Sequence, residues 1–232
     1  MSKKEVFLRK ALCNILRYAC LMLGFFLIGF SAIMIVKSGL GAAPWDVFHT
    51  GLTNVFPITM GTASIGAGVI FIIISSILGV KPYIGTILNM IFIGIFMDLT
   101  IYWGIFSVPD TLAMRIVLLV VGTFINALGA AIYFSANLKY GPRDSLMMAI
   151  NKKTGMSIKK ARTILEVSAI IGGWLMGGVF GLGTVFYALA TGTFLVICMR
   201  LTNIIKKIIF SKILWINFFI LMIKSKKNTI IK

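Results

Sequence analysis

Charge is scarce in this chain, so the few charged side chains inside its apolar stretches carry whatever chemistry it has. Only six of 232 residues are Asp or Glu. Asp46 lies in "APWDVFH", three residues before His49, the single histidine. On a helix that spacing puts both on one face, where a carboxylate and an imidazole can share a proton. Asp144 lies in "GPRD", directly after Arg143. Arg162 and Glu166 stand four apart, the spacing of a helical ion pair. Asp98 is isolated in an apolar run, placed either to pair with Arg115 or to line a pathway. Acids in lipid-crossing segments are costly and point to handling of protons, ions or substrates. The candidates for substrate or ion binding are therefore Asp46, His49, Trp45, Arg143, Asp144, Glu166, Arg162 and Asp98.

Enzyme chemistry finds little here. The chain has one histidine, no H-E-x-x-H, no paired cysteines and no G-x-S-x-G elbow. Cys13, Cys20 and Cys198 show no C-x-x-C spacing. No catalytic residue, metal site or cofactor is expected.

These residues need elements to hold them. Pro44 and Pro142 suit the first position of a helix, and an acid in the first turn suits its dipole. "APWD" and "GPRD" are thus predicted to open short helices, about 44–55 and 142–151. Such a helix either lies at the interface, with Trp45 at headgroup level, or re-enters the membrane as a half-helix. Thr86 and Thr184, each after a glycine, are predicted helix starts too. The run "GGWLMGG", Gly172 to Gly178, spaces small residues for close helix packing.

The longer elements are set by composition. Hydrophobic residues make up 59% and charged residues 12% of the chain, and the mean hydropathy is +1.01. That excludes a water-soluble domain and predicts an all-α polytopic membrane protein. Six stretches are long enough to span, roughly 16–36, 60–79, 83–103, 115–136, 161–179 and 183–203. The net charge of +17 reads as positive-inside anchoring rather than nucleic-acid binding, because the basic residues bunch at the termini and between apolar segments. Lys3, Lys4, Arg9 and Lys10 at the start, and seven Lys and Arg between Lys139 and Arg162, place both termini in the cytoplasm. Residues 206–232 form a basic and apolar tail, predicted to hold an interfacial helix, with a seventh span as the alternative.

A shift of 98 positions aligns the chain with itself without a gap. Arg17 meets Arg115, Gly24 meets Gly122, Pro44 meets Pro142, Asp46 meets Asp144, Gly79 meets Gly177 and Gly85-Thr86 meets Gly183-Thr184. Residues 1–112 and 113–205 then form two repeats of three spans. An odd number of spans inverts the second repeat relative to the first, the layout of many secondary transporters.

The stretches "SGLGAAPWDVFHTGL", "YGPRDSLMMAI" and "KKARTILEVSAIIGGWLMGGVFGLGT" resemble the YczE-like branch of the YczE/YyaS/YitT family of bacterial integral membrane proteins, over roughly residues 20–200. The resemblance implies a multi-pass protein of the bacterial cytoplasmic membrane and little about chemistry. The expected function is small-molecule transport, as an exporter coupled to protons. The alternative is an accessory membrane protein that binds a partner protein or a lipid and moves nothing. The lipid bilayer and an unidentified small molecule are the expected partners, and six spans being few for a transport path, a homodimer is expected.

Overall fold

The computed structural model describes the backbone of residues 3–136 and 141–229, and the side chains of residues 14–136 and 141–205. Among the described residues the protein is entirely helical: α1 (Lys3–Lys37), α2 (Pro44–Val55), α3 (Met60–Ile77), α4 (Ile84–Trp103), α5 (Leu112–Ser135), α6 (Pro142–Thr154), α7 (Ile158–Leu175) and α8 (Leu182–Thr229).

Local sequence explains most of the boundaries. Thr59, Thr111 and Ser157 each accept a hydrogen bond from a first-turn amide, capping α3, α5 and α7. Pro44 and Pro142 occupy the opening turn of α2 and α6, after extended Ala43 and Gly141. Gly79 and Gly177, a matched pair under the 98-residue shift, both turn the chain at positive φ just after α3 and α7.

Among the described residues, five helices are long and apolar enough to cross a membrane: Asn14–Lys37, Met60–Ile77, Ile84–Trp103, Leu112–Ser135 and Leu182–Ile205. The protein is a polytopic helical membrane protein. The segment expected as the fifth of six spans is α7, whose 18 residues include Lys159, Lys160, Arg162 and Glu166. Those charges keep it out of the five. The tail differs from the expectation of a separate interfacial helix. Its backbone continues α8 without a break to Thr229, and its side chains lie outside the described residues. At about 1.5 Å per residue, the 12 residues of α2 and 13 of α6 are too short to cross.

α1 and α5 pack on each other through the centre. Gly24 and Gly129 allow the approach: a Cβ on either would lie 2.9 Å from the other's carbonyl oxygen. α4 packs on α1 and α8 on α5, while α2 packs on α7 and α6 on α3. The expected role of the Gly172–Gly178 run holds. A Cβ on Gly173 would lie 2.4 Å, and one on Gly178 2.1 Å, from the Val47 carbonyl of α2. The buried core gathers around Leu21, Phe25 and Tyr133, with a second cluster of Ala32, Ile33, Met60 and Met97.

Candidate functional site

The two short helices start at the same place. Residues 43–46 at the entry to α2 and 141–144 at the entry to α6 line one internal cavity of about 250 Å³, and each of the eight helices contributes to its wall. Proline at the first helical position fixes how each chain enters, and the small residues before it (Gly41, Ala42 and Ala43 in the first case, Gly141 in the second) leave room for the backbone. Gly41 adopts φ +140°, and a Cβ there would lie 2.6 Å from the Thr184 amide nitrogen.

The expected residues mostly arrive at this cavity. Trp45, Asp46, Arg143, Asp144, Arg162 and Glu166 all line it. The Arg143 guanidinium carbon sits 5.1 Å from the centre of the Trp45 ring, a cation–π contact. Trp45 is held in turn by Phe71, edge to face at 4.8 Å. Arg162 Nε donates to Glu166 Oε1 at 2.8 Å, so the predicted i,i+4 pair forms. Burial pushes the Asp144 carboxyl above its ordinary range, while Arg162 and Arg143 pull it back.

His49 takes a different place. Its Nδ1 is 3.3 Å from Asp46 Oδ1, as the spacing predicted, but the ring is fully buried behind Asp46 and does not line the cavity. Among the described residues, its Nε2 has no hydrogen-bond partner. Burial lowers its pKa, against the hydrogen bond to Asp46 that raises it.

Asp98 does not line the cavity, and its hydrogen bonds go to the start of α3 rather than to Arg115. Its Oδ1 accepts from the Gly61 amide at 2.8 Å and its Oδ2 from Thr59 Oγ1 at 2.6 Å. It caps the N-terminus of α3 from across the α3–α4 contact, where unpaired amides and the helix dipole favour a carboxylate. Arg115 Nε donates instead to the Pro109 carbonyl at 2.7 Å. The two threonines also divide. Thr86 forms a capping box with Tyr83 at the start of α4. Thr184 reaches beyond its own helix, accepting from the Ala42 amide at 3.2 Å and so tying α8 to the approach to α2.

Three site residues escaped the sequence reading. Tyr187 Oη donates to Asn126 Oδ1 at 2.8 Å, and Asn126 Nδ2 donates to Ser31 Oγ at 3.0 Å. This chain of bonds joins α8, α5 and α1, with Tyr187 and Asn126 on the cavity wall. Asn89, also on the wall, lies against Gly141. The available signal was an asparagine inside an apolar span, which needs an internal partner.

Comparison with known proteins places this arrangement in a lineage. A family described as a family of unknown function, DUF6198, matches residues 15–200. The chain belongs to the DUF6198 family. Within it, the chain is 34% identical over 183 residues to the uncharacterized membrane protein YczE of Bacillus subtilis (strain 168), covering 78% of this chain and 84% of that one. An uncharacterized protein of Haemophilus influenzae is 34% identical over 182 residues, covering 77% and 83%. The uncharacterized protein YyaS of Bacillus subtilis is 25% identical over 194 residues, covering 81% and 94%. The resemblance read from the P-x-D and glycine motifs is therefore borne out. No solved structure matches the chain. These three relatives are bacterial, and the region matched by the family contains the whole cavity lining.

Proposed function

We propose that this protein is a small-molecule transporter of the bacterial cytoplasmic membrane, built as an inverted repeat of three plus three spans, with movement coupled to protons. One observation carries the reading. Two P-x-D helices 98 residues apart open onto a single cavity with polar walls in the interior of a membrane protein. An accessory protein that moves nothing needs no such space between Asp46 and Asp144.

The packing supports the repeat. α2 against α7 corresponds to α6 against α3, and α1 against α4 corresponds to α5 against α8. Trp45 and Arg143 are the middle residues of the two P-x-D elements, equivalent under the shift, and they touch. Equivalent residues related by a two-fold axis meet only close to that axis. In this reading α7 is the sixth span and keeps its lysines at the cytoplasmic surface. α2 and α6 are re-entrant rather than interfacial, in keeping with the burial of Pro44, Asp46 and Val47 and of Pro142, Ser145 and Leu146. Asp46, Asp144 and Glu166 carry the coupling charge.

The test is electrical. Proteoliposomes on a solid-supported membrane are exposed to a panel of small metabolites under an imposed pH gradient. Transient currents from the wild type that disappear in Asp46→Asn and Asp144→Asn support transport. A silent wild type across the panel, with protein confirmed in the membrane, moves the weight to an accessory role.

A further inference from the structure

The cavity contains two cations, and only one is occupied. Arg162 is paired with Glu166. Arg143 makes no hydrogen bond and no ion pair among the described residues; its recorded contact is the Trp45 ring. Asp46, Asp144 and Glu166 line the same cavity and act on it electrostatically, but none comes within ion-pair distance. A guanidinium offers five donors in a planar fork suited to a carboxylate, sulfonate or phosphate, and half-buried Arg143 turns that fork into the cavity without spending it on a protein partner. The α2 and α6 N-termini, neither capped by the side chain before it, present further amide donors to the same space.

Much of the rest of the cavity is apolar, and it has an opening. Ile28, Ala32, Met90, Ile93, Leu165 and Leu195 contribute to its wall. α3 and α4 pack together in the first half, but their counterparts do not: α7 packs on α2 and α6, and α8 on α5, with little contact between α7 and α8. The Arg162–Glu166 pair stands at this parting, lining the cavity while its side chains are 58% and 30% exposed. A volume of about 250 Å³ falls below the ~300–1,000 Å³ of sites that enclose a drug-sized ligand. A ligand with a longer apolar part must therefore extend through the parting.

We propose that the cavity binds an amphipathic organic anion, its headgroup on Arg143 beside Trp45 and its apolar tail in the parting between α7 and α8. The proposal rests on the cavity as the substrate site and names the class of substrate. Its electrostatics link the anion to protons. The groups facing Arg143 are Asp46, Asp144, Glu166, Arg162, Tyr133 and Tyr187, with His49 behind Asp46. An anion on Arg143 is repelled by ionised Asp144, so its binding favours the protonated acid.

Octanesulfonate is a suitable probe because it stays ionised at all working pH values. Its binding to the full chain in phosphatidylcholine nanodiscs is measured by calorimetry against empty nanodiscs, alongside methanesulfonate and octyltrimethylammonium. The expected order puts octanesulfonate first. Arg143→Gln should weaken it about ten- to hundredfold, and Arg143→Lys, which keeps the charge, should fall between. Binding should tighten from about pH 8 to about pH 6, and Asp144→Asn should flatten that slope. Monodisperse elution of each variant, and an unchanged affinity in Arg115→Gln, separate loss of the site from loss of fold. Preference for octyltrimethylammonium, or unchanged binding in Arg143→Gln, overturns the proposal. Equal affinity for methanesulfonate overturns its amphipathic half and leaves the parting to another occupant, such as a second copy of the chain. Anion binding without currents sinks transport and keeps this site; currents carried by cations without anion binding do the reverse.

Discussion

At the scale of single residues, three aspartates inside apolar sequence do different work. Asp46 and Asp144 face the cavity, while Asp98 holds the start of α3 through Gly61 and Thr59. Asp98→Ala should therefore cost about 1–2 kcal/mol, as loss of a helix cap does. It should lower the thermal midpoint of the purified protein and leave transport currents unchanged in direction and substrate preference. Asp46→Asn should show the opposite pattern, a modest change in midpoint and lost currents. The sequence made the local pairs legible, because Asp46–His49 and Arg162–Glu166 are three and four residues apart and helix geometry brings them together. It did not reveal the Asp98–Gly61 contact, which joins two helices across 37 residues. Nor did it separate His49 from the cavity, since a helix face predicted from spacing does not say what the face is packed against.

At the scale of elements, the position of α2 depends on glycine. Gly173 and Gly178 bring α7 against the Val47 carbonyl, and α2 carries Trp45 and Asp46 into the cavity. Gly173→Ala forces the two helices apart, since its Cβ would sit 2.4 Å from backbone oxygen that cannot move alone. The expected cost is on the order of 1–3 kcal/mol, as for other overpacked contacts, with reduced current because the first turn of α2 shifts. Gly66→Ala is the control: its Cβ would meet nothing within 4 Å, so midpoint and current should hold or improve slightly. The small-residue run was legible as a close-packing signal. Its partner was not, because Gly51 of α2, where an added Cβ would lie 2.6 Å from the Gly173 carbonyl oxygen, does not by itself say which helix it meets. The span count shows the same limit. α7 has the length of a span, yet its charged first turns remove it from a reading by hydropathy alone.

At the scale of the molecule, the proposed inverted repeat would assign each half of the site to its own side of the membrane. The cavity joins two P-x-D elements that, under inverted topology, approach it from opposite sides. The elements before Pro44 and Pro142 are then separate approaches to one central space. A version without Cys13, Cys20 and Cys198, carrying single cysteines through 38–56 and 137–151, tests this in whole cells with a membrane-impermeant thiol reagent. Residues leading to Pro44 should react from outside, and residues leading to Pro142 only after the cytoplasmic side is opened. In both series, labelling should fade toward Asp46 and Asp144, and an amphipathic anion such as octanesulfonate should protect the positions nearest the cavity. Labelling of both series from one side would remove the inverted repeat and, with it, the argument from Trp45 and Arg143 as equivalent residues at an axis. Even labelling along one face of each helix would make α2 and α6 surface helices. That outcome would contradict the burial of Asp46 and Val47 and require the cavity to open in a way that this packing of α2 on α7 does not allow.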